Sequence, residues 1–216
     1  MLFVAMSDTH SRHREIRDYN DIPDGDVLLH CGDWSGYGTL DEAKDFNDWL
    51  GKLPHKYKIV IAGNHDLSAW ERHRKETQKI FTNAIYLQDE SITLDGIKIH
   101  GHPWTPMLCN WYFMLERGSS KMRRKVNDIP EDVDILMSHG PPLNKLDWSV
   151  IGGQRMGCED LRNRVDTIRP KIHVFGHNHA DYGGAIGEHT TFINVATCNE
   201  HYIPVNKPIC FGLSSV

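Results

Sequence analysis

Ile59-Val60-Ile61-Ala62-Gly63-Asn64-His65-Asp66 decides the fold. Four apolar residues, three of them β-branched, read as a short strand buried on both faces. Gly63 ends it, and an amide, an imidazole and a carboxylate follow at once. In open α/β sheets ligands gather beyond the carboxyl ends of the strands, where loops bring distant residues together. The pattern recurs on either side. Leu2 to Met6 runs into Ser7-Asp8-Thr9-His10, and Val27-Leu28-Leu29 runs into His30-Cys31-Gly32-Asp33. Ile135-Leu136-Met137 runs into Ser138-His139-Gly140, and His173-Val174-Phe175 into Gly176-His177-Asn178-His179.

Between these strands the period changes. Leu40, Ala43, Phe46, Trp49, Leu50 and Leu53 recur at helical spacing, with Thr39 or Asp41 as the cap and Pro54 just beyond. Cys158, Leu161, Val165 and Ile168 form a second stripe that ends before Pro170. Ile92-Thr93-Leu94 and Ile97-Lys98-Ile99 flank Asp95-Gly96, a hairpin signal. Thr191 to Val195 and Ile209 to Leu213 add late strands. The expected architecture is α/β, two sheets packed together with helices outside, in one domain over residues 1–216.

Bulk properties narrow the function. The net charge of −5 argues against a stable nucleic-acid complex, which needs a basic face, but leaves a small nucleotide open as substrate. No apolar run approaches the roughly 20 residues that cross a bilayer, so no membrane role is expected. Leu2 to Met6 is too short for a signal-peptide core. The five cysteines are scattered without a C-x-x-C pair, which points to reduced thiols and a cytoplasmic protein. An oligomer is compatible with all of this. The unusual feature is 14 histidines.

Asp8-x-His10 and His177-x-His179 each put two donors where a loop after a strand turns both onto one ion. With Asp33, Asn64 and His139 they form a set of carboxylate, imidazole and amide donors. Such donors suit Mn, Fe, Zn or Co and demand no thiolate. A carboxylate can bridge two cations, and a pair about 3.5–4 Å apart clamps phosphoryl oxygens and activates water. No Ser or Cys nucleophile is then needed. His65 is typed to protonate a departing oxygen, and Asp66 beside it is expected to orient the ring.

The ordered set D-x-H, G-D, G-N-H-D, H-G and G-H-x-H, from Asp8 to His179, resembles the calcineurin-like metallophosphoesterase superfamily. A closer likeness, to the metallophosphoesterase-domain-containing (MPPED, 239-type) proteins, rests on several stretches. They include Ser7-Asp8-Thr9-His10-Ser11-Arg12, Pro103-Trp104-Thr105-Pro106, Asp134 through Pro142, and Arg169 through His177. The resemblance implies a four-layer α/β/β/α sandwich of two mixed sheets. It implies that Asp8, His10, Asp33 and His179 hold one metal, and that Asp33, Asn64, His139 and His177 hold the other. Asp33 would bridge, and His65 would face the leaving group. Two transition-metal ions are the implied cofactors, Mn first and Fe, Zn, Co or Ni as the others.

The protein phosphatases of that superfamily follow Gly-Asp with an arginine that binds a monoester phosphate. Here Gly32-Asp33-Trp34-Ser35-Gly36-Tyr37-Gly38 has none, and Tyr37 cannot supply a guanidinium fork. The expected activity is therefore phosphodiester hydrolysis, with nucleotides, cyclic ones included, as the leading substrates. The alternatives are a phosphomonoesterase with the same centre and a nucleotide-binding protein of weak activity. Trp104, Trp111, Tyr112 and Phe113 form either a base-stacking platform or a cover over a sheet. Arg123, Arg124 and Lys125 read as a solvated helix face. Cys31 and Cys198 read as core, and His30, His100, His102, His173, His189 and His201 as packing or surface residues.

Overall fold

The computed structural model of the chain describes residues 1–16, 22–66, 74–150 and 152–214. Strands β1 (Leu2–Met6), β2 (Val27–His30), β3 (Tyr57–Val60) and β4 (Ile85–Tyr86) run parallel in one sheet. The second sheet begins with the hairpin β5 (Glu90–Leu94) and β6 (Ile97–His102). Asp95 at φ 46° and Gly96 at φ 82° make the tight primed turn expected between them. Two short ladders, β7 (Thr105–Pro106) with β8 (Met114–Leu115) and β10 (Trp148–Ser149) with β11 (Gln154–Arg155), stand apart. β9 (Ile135–Ser138), β12 (Ile172–Phe175), β13 (Gly183–Ile186) and β14 (Thr191–Asn194) complete the second sheet, and β15 (Ile209–Gly212) edges the first.

The first sheet has the order β15-β1-β2-β3-β4, and the second β13-β14-β12-β9-β6-β5. β6, β9, β12 and β14 are parallel, while β5, β13 and β15 close the edges antiparallel. Alternation along the strands separates the layers. Phe3, Ala5, Leu29, Ile59 and Ile61 share one buried cluster with Ile99, Ile135, Met137, Val174 and Ile193 of the other sheet. Their neighbours Val4, Met6, Leu28 and Val60 belong instead to a cluster with helix residues. This is the α/β/β/α arrangement expected.

Helix α1 (Leu40–Leu50) begins at Thr39, whose side chain accepts from the Glu42 amide while Glu42 reaches back in a capping box. Its Phe46 stacks on Trp34 at 5.6 Å and on Trp49 at 5.5 Å, so truncation to Ala would cost about 3–5 kcal/mol. After α2 (Arg74–Ile80), the helices α3 (Ser120–Asn127) and α4 (Glu159–Ile168) contribute Met122, Val126, Leu161 and Val165 to the same outer cluster. Cys158 caps α4 with its sulfur rather than joining the helix.

One expectation is narrowed and one changes. Trp104 and Phe113 are buried beneath α3, so they are core. Lys125 is only partly solvated: its Nζ lies 2.5 Å from the half-buried Asp89 carboxylate and 4.7 Å over the Trp104 ring. A single-residue bridge, Ser7 to Ala196, joins the end of β1 to the end of β14, with Thr197 N–H donating to Ser7 O at 2.8 Å. The two sheets are thus tied together at the edge where their parallel strands end. No described helix is long and apolar enough to cross a membrane.

Candidate metal centre

Each sheet sends side chains to that tied edge. Asp8 and His10 follow β1, Asp33 follows β2, and Asn64 and His65 follow β3; His139 follows β9, and His177 and His179 follow β12. Turning these residues inward requires unusual backbone. Asp8 (φ 53°), His10 (φ 44°), Asp33 (φ 52°) and His177 (φ 65°) all take left-handed conformations that L-residues avoid. Such strain persists only where the surroundings over-determine it, and it concentrates at functional sites.

Two glycines make the approach close enough. A Cβ on Gly63 would stand 2.3 Å from Asp33 Oδ1, and one on Gly176 would stand 2.0 Å from Asp8 Oδ2. Neither contact is physically tolerable, which accounts for glycine at the head of both motifs.

Donor atoms converge in overlapping groups: Asp8, His10 and His179; His10, Asp33 and His65; Asp33, His139 and His177. His179 Nε2 lies 3.4 Å from Asp8 Oδ1 and 3.2 Å from His10 Nε2. His139 Nε2 lies 3.3 Å from Asp33 Oδ2 and 2.9 Å from Asn64 Oδ1. Asp33 Oδ2 is also 3.9 Å from His10 Nε2, so this carboxylate faces both groups.

Backbone carbonyls fix the rings. His139 Nδ1–H donates to Cys31 O at 2.9 Å, His179 Nδ1–H to Asn199 O at 2.9 Å, and His65 Nδ1–H to Gly36 O at 2.9 Å. Each bond keeps a proton on Nδ1, so Nε2 is the nitrogen left to offer a lone pair to a cation that displaces its proton, as metal-ligating histidines require.

The electrostatics suit cations. Burial holds the imidazole of His10 down to about 4 and that of His177 down to about 3, so both stay neutral. Burial alone would raise Asp8 and Asp33, yet the facing histidines outweigh it and hold both carboxyls below their usual range. Burial also opposes the charged form of His139, but Asp33 and Asp8 lift it to about 9. His177 Nε2 is buried without a hydrogen-bond partner. An orphaned, neutral imidazole nitrogen facing buried carboxylates is what a metal would satisfy.

Asp66 departs from expectation. It does not touch the His65 ring, which Gly36 O orients instead. Its fully buried carboxylate accepts from Gly63 N–H at 2.8 Å, Ser35 N–H at 2.9 Å, Ser35 Oγ–H at 2.8 Å and Trp34 N–H at 3.3 Å. Burial and the neighbouring Asp33 charge raise this carboxyl to about 8. Asp66 pins the Asp33 loop to the Asn64 loop and is a positioning residue.

The groups open onto a cleft of about 460 Å³ whose walls include Trp111, Tyr202, Met156 and Glu200. Of the four aromatic residues singled out in residues 104–113, only Trp111 lines it, its ring 4.0 Å from His65. Sequence reading missed Tyr202, which packs edge-on against His10 at 4.8 Å and His179 at 5.3 Å. It stands well past the last strand-end motif, so no pattern marked it.

Comparison with known proteins agrees with this geometry. The family model described as Calcineurin-like phosphoesterase matches residues 1–181. The chain belongs to that family. It is 43% identical to human Metallophosphoesterase domain-containing protein 1, over 98% of this chain and 70% of that protein. It is 40% identical to UPF0046 protein C25E10.12 of Caenorhabditis elegans, over 98% of this chain and 80% of the relative. Among solved structures, TT1561 of Thermus thermophilus superposes with a TM-score of 0.61 at 13% identity, covering 89% of this chain and 88% of that one. Phosphopantetheinyl Hydrolase from Mycobacterium tuberculosis gives 0.59 at 13% identity, covering 96% and 95%. These two likenesses establish the fold. Family and donor clusters together make this calcineurin-like protein a metal-dependent phosphoester hydrolase with a dinuclear divalent-metal site.

Proposed function

We propose that the chain hydrolyses phosphodiesters, with nucleotides, including cyclic ones, as the substrate class, and that manganese serves at both positions. Asp8, His10, Asp33 and His179 would hold one ion, and Asn64, His139 and His177, with Asp33 again, would hold the other. Two divalent ions, when bound, lower the pKa of water and neutralise charge on the phosphoryl oxygens. The protein's own residues do the rest. His65, held through Nδ1–H by Gly36 O, presents Nε2 to the leaving oxygen and, in its imidazolium form, donates the Nε2 proton to it and reverts to the neutral ring. Asp66 holds the two loops that present Asp33 and Asn64.

The observation that carries the diester reading is the cleft wall. Among the described residues it contains no arginine or lysine, one carboxylate beyond the ligand groups (Glu200), and exposed faces of Trp111 and Tyr202. A monoester dianion calls for a guanidinium fork. A diester carries one negative charge and two organic groups, and it gains more from apolar walls.

The test is hydrolysis of bis-p-nitrophenyl phosphate and of p-nitrophenyl phosphate by chelator-stripped protein, with and without manganese. Manganese-dependent turnover that favours the diester is expected. Preference for the monoester would reverse the substrate assignment, and failure to bind any metal would remove the proposal altogether.

A further inference from the structure

Trp111 and Tyr202 both line the cleft and both contact His65. Trp111 leans over the His65 ring at 4.0 Å and 47°, and Tyr202 meets the same ring at 6.2 Å and 64°. Both remain substantially open to solvent, at 37% and 46% of their surface, so flat apolar faces are left uncovered beside a buried polar centre. Other lining residues carry no ring: Ser149 and Gln154 belong to the β10–β11 ladder, and Val150 and Met156 flank it. Asn178 docks that ladder by donating to Leu146 O and Trp148 O, both at 3.1 Å.

Tyr202 is held in place. Its backbone sits at φ 58°, a conformation that costs an L-residue of its bulk free energy. Asn199 fixes the turn around it, its Oδ1 accepting from His201 N–H and Ile203 N–H, each at 3.0 Å. The Arg12 guanidinium donates to Tyr202 O while also bound to Glu15. A strained residue held by this many hydrogen bonds presents its ring by construction.

We infer that Trp111 and Tyr202 are specificity-determining residues for the leaving group, gripping a flat aromatic or heteroaromatic portion of it beside His65. The retained ester group lies against Ser149, Val150, Gln154 and Met156. This rests on the reading that His65 faces the leaving oxygen. Ring-on-ring stacking is sequence-tolerant and strong enough to select flat groups over aliphatic ones, and it needs no cation in the wall.

The test compares two diesters with the same leaving group and different retained groups, methyl p-nitrophenyl phosphate and thymidine 5′-p-nitrophenyl phosphate, on manganese-loaded protein. Trp111→Ala and Tyr202→Ala should each lower kcat/KM by about tenfold on both substrates alike. Metal content should stay at the wild-type level, and Trp111→Phe and Tyr202→Phe should recover most of the loss. A loss confined to the thymidine ester would place the rings on the retained group and overturn the assignment, as would no loss on either ester. A Tyr202→Ala protein that sheds metal, with Tyr202→Phe no better, would reduce that residue to a structural role. If the wild type turns over only monoesters, the diester reading fails separately. The inference is then decided by p-nitrophenyl phosphate against acetyl phosphate, whose leaving group is too small to reach the rings. Loss on the aryl ester alone sustains the grip, and equal loss or none removes it.

Discussion

His139 and His179 hold equivalent posts in two different donor groups of the centre, and their supports differ. His139 leaves β9 with no exposed side-chain surface, and its anchor is Cys31 O, immediately beyond β2 in the facing sheet. His179 begins a single 3₁₀ turn, keeps 12% of its side chain exposed, and is anchored to Asn199 O in a surface loop. One half of the centre is therefore built into the sheets, and the other is completed by a loop that can open at lower free energy. A two-metal site with such supports should fill and empty in two distinct steps.

The severest way to break the comparison is to remove the group common to both halves. Asp33→Ala should lose both ions and lower diester turnover by at least about 10²–10³-fold, the range for deleting one preorganised charge-stabilising group. Metal analysis beside the activity assay checks this, and a variant retaining two ions would show that the carboxylate does not bridge. His65→Ala should leave both halves loaded. Its cost should be about 10²–10⁴-fold for an alkoxide leaving group and clearly less for p-nitrophenolate, which departs without a proton. An equal loss on both would mean that the ring only shapes the site.

Asn199→Ala separates the halves. Its backbone carbonyl survives, but the turn that aims it loses the two hydrogen bonds accepted by the side chain. Loss of an outer-shell support of this kind typically weakens metal affinity by about 10–100-fold. One ion should then dissociate into a competing chelator well before the other, where the wild type shows a smaller gap. Simultaneous release would mean that the loop bears on both halves equally.

The same contrast explains what could be read from the chain. The sheet-borne residues were legible because each follows a short apolar run: Asp8, Asp33, Asn64, His139 and His177 all sit where periodicity ends in a polar tip, and the structure gathers them. The hairpin at Asp95-Gly96 and the cap at Thr39 were legible for an equally local reason. Asp66 was misjudged because adjacency to His65 along the chain says nothing about where a carboxylate points. Its partners are the backbone donors of Trp34, Ser35 and Gly63 and the Ser35 hydroxyl, and backbone donors are silent in sequence. Lys125 was misjudged because Asp89 and Trp104 reach it only through tertiary packing. Tyr202 and Asn199 act through a loop fixed by the Asn199 side chain's local bonds to His201 N–H and Ile203 N–H and by Arg12 from far along the chain, and no periodicity announces it.

The smallest effect sharpens the comparison without touching activity. In the metal-stripped protein His139 is lifted from an ordinary 6.5 to about 9 by Asp33 and Asp8, against the pull of burial. His179 is also raised, its burial being outweighed by the hydrogen bond and charge of Asp8. A group whose folded pKa exceeds its unfolded value contributes stability that is fully present below the unfolded value, here 6.5, and lost as pH climbs through the folded value. The stripped protein should therefore become less stable from about pH 6.5 to 9, its Tm falling by roughly 5 °C for a chain of this size. Protonated imidazoles stand in for the missing cations, so the manganese-loaded protein should show a flatter profile over that range. His139→Asn should remove more of the slope than His179→Asn, because the sheet-bound ring faces Asp33 with no solvent to screen the charge. Thermal unfolding in chelator at three pH values decides it, and equal slopes in the two variants would show that the two supports differ in shape but not in electrostatic strength.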